Sequence, residues 1–320
     1  MVATSIIPLR NGLWRDGMRH IEATIRPLVG RDEVLIAELR PGATQAELIT
    51  AVLANVTRCI GSVDAPTYED VRTLTIGDRE RLLLGLFRLS FGGRMEAVAQ
   101  CSATQCGAAM ELDLQVEDFL IPGLPHDLSP SQSSSATSRT LHTSQTTIDS
   151  PLLDLQQAWP EPVYEMAIAS EEGGWQVRFR LPNGADQEYA ARLAQSDLNA
   201  AADLILRRCS LEVTAADGSS IAPDKALPAL RQALPEVFAS LDPQAETTLL
   251  LHCPVCGVET RVLFDAGTFL LAALVRTNDI FCEVDRLARA YHWSEAEILA
   301  LPVSRRRRYV GLASEAGVLT

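Results

Sequence analysis

Four of the seven cysteines in this 320-residue chain stand in two short-spaced pairs, Cys101-x4-Cys106 and Cys253-x2-Cys256, with a separation of 147 from Cys106 to Cys253. No other feature constrains the fold as strongly. A short spacer curves the backbone so that two sulfurs reach one ion, and four thiolates can surround a metal tetrahedrally. A glycine follows the second cysteine of each pair, Gly107 and Gly257, and glycine tolerates the positive φ that such turns require. If the pairs share an ion, everything between them loops out and returns. The expected ligands are Cys101, Cys106, Cys253 and Cys256, and the expected cofactor is a structural Zn2+. A closed four-cysteine site leaves no position open for substrate or water. The alternative is two cysteine-bearing turns without metal, because free cysteine often serves as a small buried hydrophobe. His252 adjoins Cys253, but neighbouring strand residues point to opposite faces. Cys59, Cys209 and Cys282 fall in expected helical stretches and read as core.

The two cysteine pairs belong to a wider pattern. Cys106-Gly107 is matched by Cys256-Gly257, Phe119-Leu120 by Phe269-Leu270 and Arg58-Cys59 by Arg208-Cys209, all at an offset of 150 residues. Leu28-Val-Gly-Arg-Asp32 loosely parallels Pro182-Asn-Gly-Ala-Asp186, with slippage. Several matches in one order indicate an internal duplication. Between residues 129 and 150, 13 of 22 residues are Ser or Thr. Such a stretch offers too little apolar surface to offset its ordering entropy, so it reads as a linker. The expected organisation is an N-terminal helical half at 1–124, a Ser/Thr-rich linker at 125–155, a second half at 156–290 and a helical docking segment at 291–320.

Local periodicity fills in the halves. Arg79-Glu-Arg-Leu-Leu-Leu-Gly-Leu-Phe-Arg-Leu89 carries leucines at helical spacing. Met110-Glu-Leu-Asp-Leu-Gln-Val116 alternates as a half-buried strand does. Ala97-Val-Ala-Gln-Cys101 precedes the first turn, and Thr247-Thr-Leu-Leu-Leu-His252 and Thr260-Arg-Val-Leu-Phe264 flank the second. Each cysteine turn is thus predicted at the tip of a β-hairpin. Val163-Tyr-Glu-Met-Ala-Ile168 and Trp175-Gln-Val-Arg-Phe-Arg180 form a further expected strand pair. Residues 267–289 read as one long amphipathic helical stretch, and Ser294-Glu-Ala-Glu297 has capping-box spacing ahead of Ile298. The expected fold class is α+β: two duplicated helical halves, each with a cysteine-tipped, zinc-ribbon-like hairpin, and a helical C-terminal segment.

Charge and motif content narrow the function. A net charge of -13, from 28 basic and 41 acidic residues, argues against binding phosphate backbones, which needs clustered positive charge. A zinc-ribbon nucleic-acid binder is therefore the rival reading. No stretch reaches 18 apolar residues, so no membrane span is expected. The first residues, Met1-Val-Ala-Thr-Ser-Ile-Ile-Pro, lack the basic region and long apolar core of a secretory signal, which points to the cytoplasm. There is no phosphate loop ending in Gly-Lys, no His-Glu-x-x-His and no Gly-x-Ser-x-Gly. No catalytic residue and no small-molecule substrate is expected. An enzyme built on paired buried carboxylates is the second rival. The one basic cluster is Arg305, Arg306, Arg307 and Arg308. With Trp293 and Tyr309 it forms the expected partner-binding set, because tryptophan, tyrosine and arginine dominate interfaces. The rival assignment packs these residues on the chain's own second lobe.

At these residues the chain resembles the T-even-like phage baseplate protein family. The likeness rests on Gly77-Asp-Arg-Glu-Arg-Leu-Leu-Leu, Leu89-Ser-Phe-Gly-Gly and the first cysteine turn. It continues in Phe179-Arg-Leu-Pro-Asn-Gly-Ala-Asp186, Cys253-Pro-Val-Cys-Gly257 and the ending from His292-Trp-Ser-Glu-Ala-Glu to Tyr309. The four-residue spacer at Cys101 departs from the family's usual two-residue turn. The resemblance implies a non-enzymatic role in assembling the baseplate hub of phage tails or of phage-like contractile injection systems. The implied partners are other hub, spike or wedge proteins.

Overall fold

The computed structural model describes residues 4–121, 162–170, 173–275 and 279–315. The Ser/Thr-rich stretch, and with it the division drawn at 125–155, lies outside the described residues. The chain is a mixed α/β protein, with four small antiparallel sheets among the described residues.

The chain opens with β1 (Ser5–Arg15) and β2 (Met18–Ile25), which pair antiparallel. Helices α1 (Gly30–Leu39) and α2 (Gln45–Val56) follow, and β3 (Thr57–Ile60) returns to pair with β2. A short β4 (Val63–Asp64) completes this sheet in the order β1-β2-β3-β4. After α3 (Tyr68–Arg72), α4 (Ile76–Phe91) is the leucine-rich helix that the periodicity predicts. Thr75 caps it by accepting the Asp78 N–H, and Gly92, at φ 96, ends it where a side chain would be strained. Leu82, Leu83, Leu84 and Leu86 are almost wholly enclosed. The first hairpin is β5 (Arg94–Gln100) with β6 (Ala109–Gln115).

From residue 162 on, β7 (Tyr164–Ser170) pairs with β8 (Gly173–Phe179), then come α5 (Gly184–Ala194), α6 (Leu198–Cys209) and β9 (Ser210–Ala215). Helix α7 (Pro223–Leu241) leads to the second hairpin, β10 (Thr247–His252) with β11 (Glu259–Phe264). The stretch expected as one helix at 267–289 is two: α8 (Ala266–Val275) and α9 (Ile280–Tyr291). Asp279 starts the second by accepting the Phe281 N–H, a capping preference that outweighs continued periodicity. Helices α10 (Glu295–Leu299) and α11 (Val303–Glu315) close the chain. Ser294 and Glu297 form the capping box their spacing predicts.

The two halves repeat a set of bonds. Arg26 grips Asp32 through both guanidinium arms at 2.6 and 2.8 Å, and Arg180 grips Asp186 at 2.6 and 2.9 Å. Each aspartate also accepts the N–H three residues before it, from Val29 and from Asn183. The Arg26 N–H donates to Val56 and the Arg180 N–H to Cys209, at 3.0 Å in both. The β2–β3 and β8–β9 ladders shift register at the same place, after Thr24 and after Arg178. These bonds align Val56 with Cys209. The expected match of Arg58-Cys59 to Arg208-Cys209 is therefore out of register. Cys59 lies in β3, paired with Thr24, whereas Cys209 ends α6 and is buried.

The main core draws on residues from both ends of the described chain. Residues between Ile7 and Phe119 pack with Phe264, Ala266, Leu270, Leu271, Leu274 and Val303. Phe119 stacks on Phe264 with ring centroids 3.9 Å apart. A second cluster joins Trp175, Val177 and Phe179 to Leu227, Leu230 and Leu234 of α7. A polar seam also crosses between the halves. Arg79 is enclosed and donates to Gln187, Thr50 and the Val71 carbonyl, and Glu188 accepts from Thr50 and Tyr68 and pairs with Arg72. Arg79 Nε crosses the seam to Gln187 while its other two arms bond Val71 and Thr50 on its own side, and Thr50, Tyr68 and Arg72 reach Glu188 on the other, which fixes how the halves meet.

Candidate metal centre

The site is built from the two hairpin turns. The β5–β6 ladder ends at Gln100 opposite Ala109, and the β10–β11 ladder ends at His252 opposite Glu259. Beyond these pairs the Cys101 N–H donates to Ala108 and the Cys253 N–H to Val258, which closes each turn. The Gly107 N–H donates to Ala103 and the Gly257 N–H to Cys253. Both glycines are left-handed, with φ of 57 and 73, so the residue after each second cysteine is set by backbone sterics. The two turns are wrapped by Ala99, Met110, Leu112, Leu251 and Val262. Ser102 donates its N–H to the Thr260 hydroxyl at 3.2 Å, a polar tie between the hairpins.

The four sulfurs lie within 4.8 Å of one another. Cys101 Sγ is 3.5 Å from Cys256 Sγ, and Cys106 Sγ is 3.8 Å from Cys253 Sγ. Cys101 and Cys253 are buried, Cys106 is half-buried and Cys256 is exposed. N–H groups of Cys256 and Val255 point at Cys253 and draw its thiol down to about 7, favouring the thiolate. The wide spacer of the first pair does not prevent convergence, because its extra residues form a local turn in which Cys106 N–H donates to Ala103. The donor set is four soft thiolates at mutual distances that one ion can span, so the residues fit a metal ion.

The remaining sequence candidates fall elsewhere. His252 is an exposed strand residue opposite Glu259. Cys282, expected in the core, is exposed on α9. The expected partner-binding set is split. Arg306 is wholly enclosed, donating to Glu283 at 2.7 Å and to Glu33 of α1, so it is not a surface contact group. Arg307 is half-buried, donates to the Ala273 carbonyl and covers the Phe91 ring. Arg305 and Arg308 are exposed. Trp293 and Tyr309 are half-buried and meet edge to face at 4.9 Å, with Tyr291 stacked on Trp293. This segment packs on both halves: Arg306 ties it to Glu33 of α1 and Glu283 of α9, and Arg307 to Ala273 of α8. The Val303 N–H donates to Leu28, Val29 bridges to Pro302, and Ile298 and Leu299 are buried.

Buried carboxylates are present, but each is tied to the fold. Asp32 and Asp186 are held by arginines, Asp78 accepts three backbone N–H groups from Arg10, Asn11 and Gly12, and Asp242 accepts the Gly77 N–H. A cavity of about 400 Å³ beside α8 is lined by Phe87, Ala97, Val98 and Phe269, with Glu96 its one carboxylate. The Arg–Asp pairs are the residues that sequence reasoning missed. Their signal was an arginine six residues before each of the two aspartates already aligned.

A mixed α/β chain whose chemistry is concentrated in a four-sulfur cluster between two hairpins is, by class, a structural protein that can hold a metal ion. The model of the T4 bacteriophage base plate protein family matches residues 13–271, both cysteine turns included, and the chain belongs to that family. No curated protein and no solved structure matches it. Membership gives the chain a structural role in a phage baseplate. No helix among the described residues is long and apolar enough to cross a membrane.

Proposed function

We infer that the chain is an assembly or structural component of the baseplate hub of a phage-like contractile tail or contractile injection system. In this reading it arose by duplication, and its halves are joined by one structural Zn2+ on Cys101, Cys106, Cys253 and Cys256. The observation that carries the reading is the family match spanning both cysteine turns, together with the convergence of all four sulfurs. The repeated Arg–Asp grips support the duplication. Four thiolates suit zinc and fill its tetrahedral shell, so the ion's role is to stiffen the junction rather than to turn over substrate. The division at 125–155 separates the two repeats in sequence, while the shared core keeps them one body. The exposed Arg305 and Arg308, beside Trp293 and Tyr309, form the surface offered to an acidic neighbour among hub, spike or wedge proteins.

Co-expression with the neighbouring baseplate proteins tests this. The Arg305→Glu/Arg308→Glu double variant is expected to keep the wild-type melting temperature and to lose co-purification with them. Normal co-assembly of the double variant would remove the docking surface from the account.

A further inference from the structure

All four sulfurs lie within 4.8 Å of one another, and two of the contacts among them are short enough to define pairs. The contacts at 3.5 and 3.8 Å join Cys101 to Cys256 and Cys106 to Cys253, and both run between the hairpins. The partners are 155 and 147 residues apart in the chain. Cys256 is exposed and gives an oxidant a way in, while Cys101 and Cys253 are buried behind it. The backbone around the sulfurs is held independently of any ion. The Cys101 and Cys253 N–H groups are bonded within their own turns, and Ser102 is tied to Thr260 across the hairpins. Loss of the metal therefore leaves the sulfurs aligned.

We propose that the centre is a peroxide-sensitive clasp that exchanges its metal for two crossed disulfides, Cys101–Cys256 and Cys106–Cys253. The proposal rests on the metal reading for its first state and on the sulfur pairing for its second. The Cys256 thiolate attacks hydrogen peroxide, the O–O bond breaks and a sulfenic acid forms with loss of hydroxide. The Cys101 sulfur then attacks that sulfenic sulfur, the S–S bond forms, and the hydroxyl leaves as water after taking up a proton. The second pair follows the same course. Each pair of thiolates gives two electrons to one peroxide as its disulfide forms, so two peroxides and four protons are consumed and four waters form. The ion leaves as a dication, its charge unchanged, because none of its four ligands remains a thiolate. A reversible junction inside a reducing cell becomes a covalent one in the oxidising surroundings a released particle meets. The hairpins stay joined in both states.

The test uses the full chain loaded with Zn2+ and quantified for metal. Hydrogen peroxide is titrated in while released zinc is read with a chromogenic chelator, and the product is digested without reduction and mapped by mass spectrometry. About two equivalents of peroxide are expected to release all the zinc and to yield the Cys101–Cys256 and Cys106–Cys253 peptides. The Cys106→Ser variant is expected to keep the Cys101–Cys256 link. Linkage within each turn, or sulfinic and sulfonic acids without links, would overturn the proposal. A chain that takes up no zinc would refute the metal reading instead. The same oxidation of that metal-free chain then decides the pairing, and linkage within the turns there also overturns it.

Discussion

Individual side chains hold this fold by satisfying buried charge, and their titration gives the account its clearest residue-scale consequences. Burial pushes the Asp186 carboxyl up, but Arg180 and Arg208 outweigh it and hold the group below the ordinary carboxylate value. A depressed folded pKa contributes stability above the unfolded value, about 3.9, and loses it as pH falls through the folded value. Asp186→Asn is expected to lower stability at pH 7 by about 3 kcal/mol, since it leaves the half-buried Arg180 without its partner charge. The deficit should shrink toward pH 2, and an equal deficit at both pH values in chemical denaturation would contradict the assignment. Asp242 behaves in the opposite sense. Burial, with Asp78 nearby, pushes it up to about 6 despite the Gly77 N–H. The fold then favours the protonated acid, so stability is lost as pH rises from about 4 to 6. Asp242→Asn keeps an acceptor for Gly77 and removes the buried charge. It should melt above the wild type at pH 8 and level with it near pH 4, and a lower melting temperature at pH 8 would refute the sign. Arg306 shows what residue patterns conceal. A run of four arginines reads as surface, because nothing local announces that Glu33 and Glu283 enclose the second of them.

Elements were legible where local chemistry decides them. Alternation and turn glycines marked both hairpins, leucine spacing marked α4, and Ser294 with Glu297 marked α10. The break between α8 and α9 was legible in the four polar residues Arg276-Thr-Asn-Asp279, and reading 267–289 as one stretch passed over Asp279, whose side chain caps α9. The matching positions were legible at the cysteines and misaligned upstream. The offset is 154 residues at the Arg–Asp pairs, 152 at Cys101 and Cys253 and 150 at Cys106 and Cys256, so the longer first turn absorbs two of the four residues and the rest is lost upstream of it. A single fixed offset therefore misplaced Cys59. The cysteine turns themselves make a prediction about glycine. At φ 73, Gly257 forced to alanine should cost about 1 to 2 kcal/mol from the left-handed backbone alone. Gly174, which has no positive φ and open space around it, should accept alanine with little change. Equal melting temperatures for the two variants would contradict the claim that backbone geometry sets the turn.

For the whole molecule, the described parts of the two halves are interlocked through a shared core. Phe264 and the apolar face of α8 lie in the core built mainly by the first half, α11 returns to α1, and the Arg79–Glu188 seam closes the middle. None of this is visible in sequence, because long-range packing leaves no periodic trace. The cysteine pairs were the exception, since two half-sites of complementary chemistry predict their own meeting. The central claim is that these half-sites make one centre. Elemental analysis of purified full-length chain, beside the Cys106→Ser and Cys256→Ser variants, tests it most directly. The account predicts about one transition-metal ion per wild-type chain, the loss of nearly the whole equivalent in either variant, and a fall in stability of several kcal/mol in both. Two ions per wild-type chain, or less than about a tenth of one, or a variant that retains its full metal content, would contradict a single centre shared by the two halves.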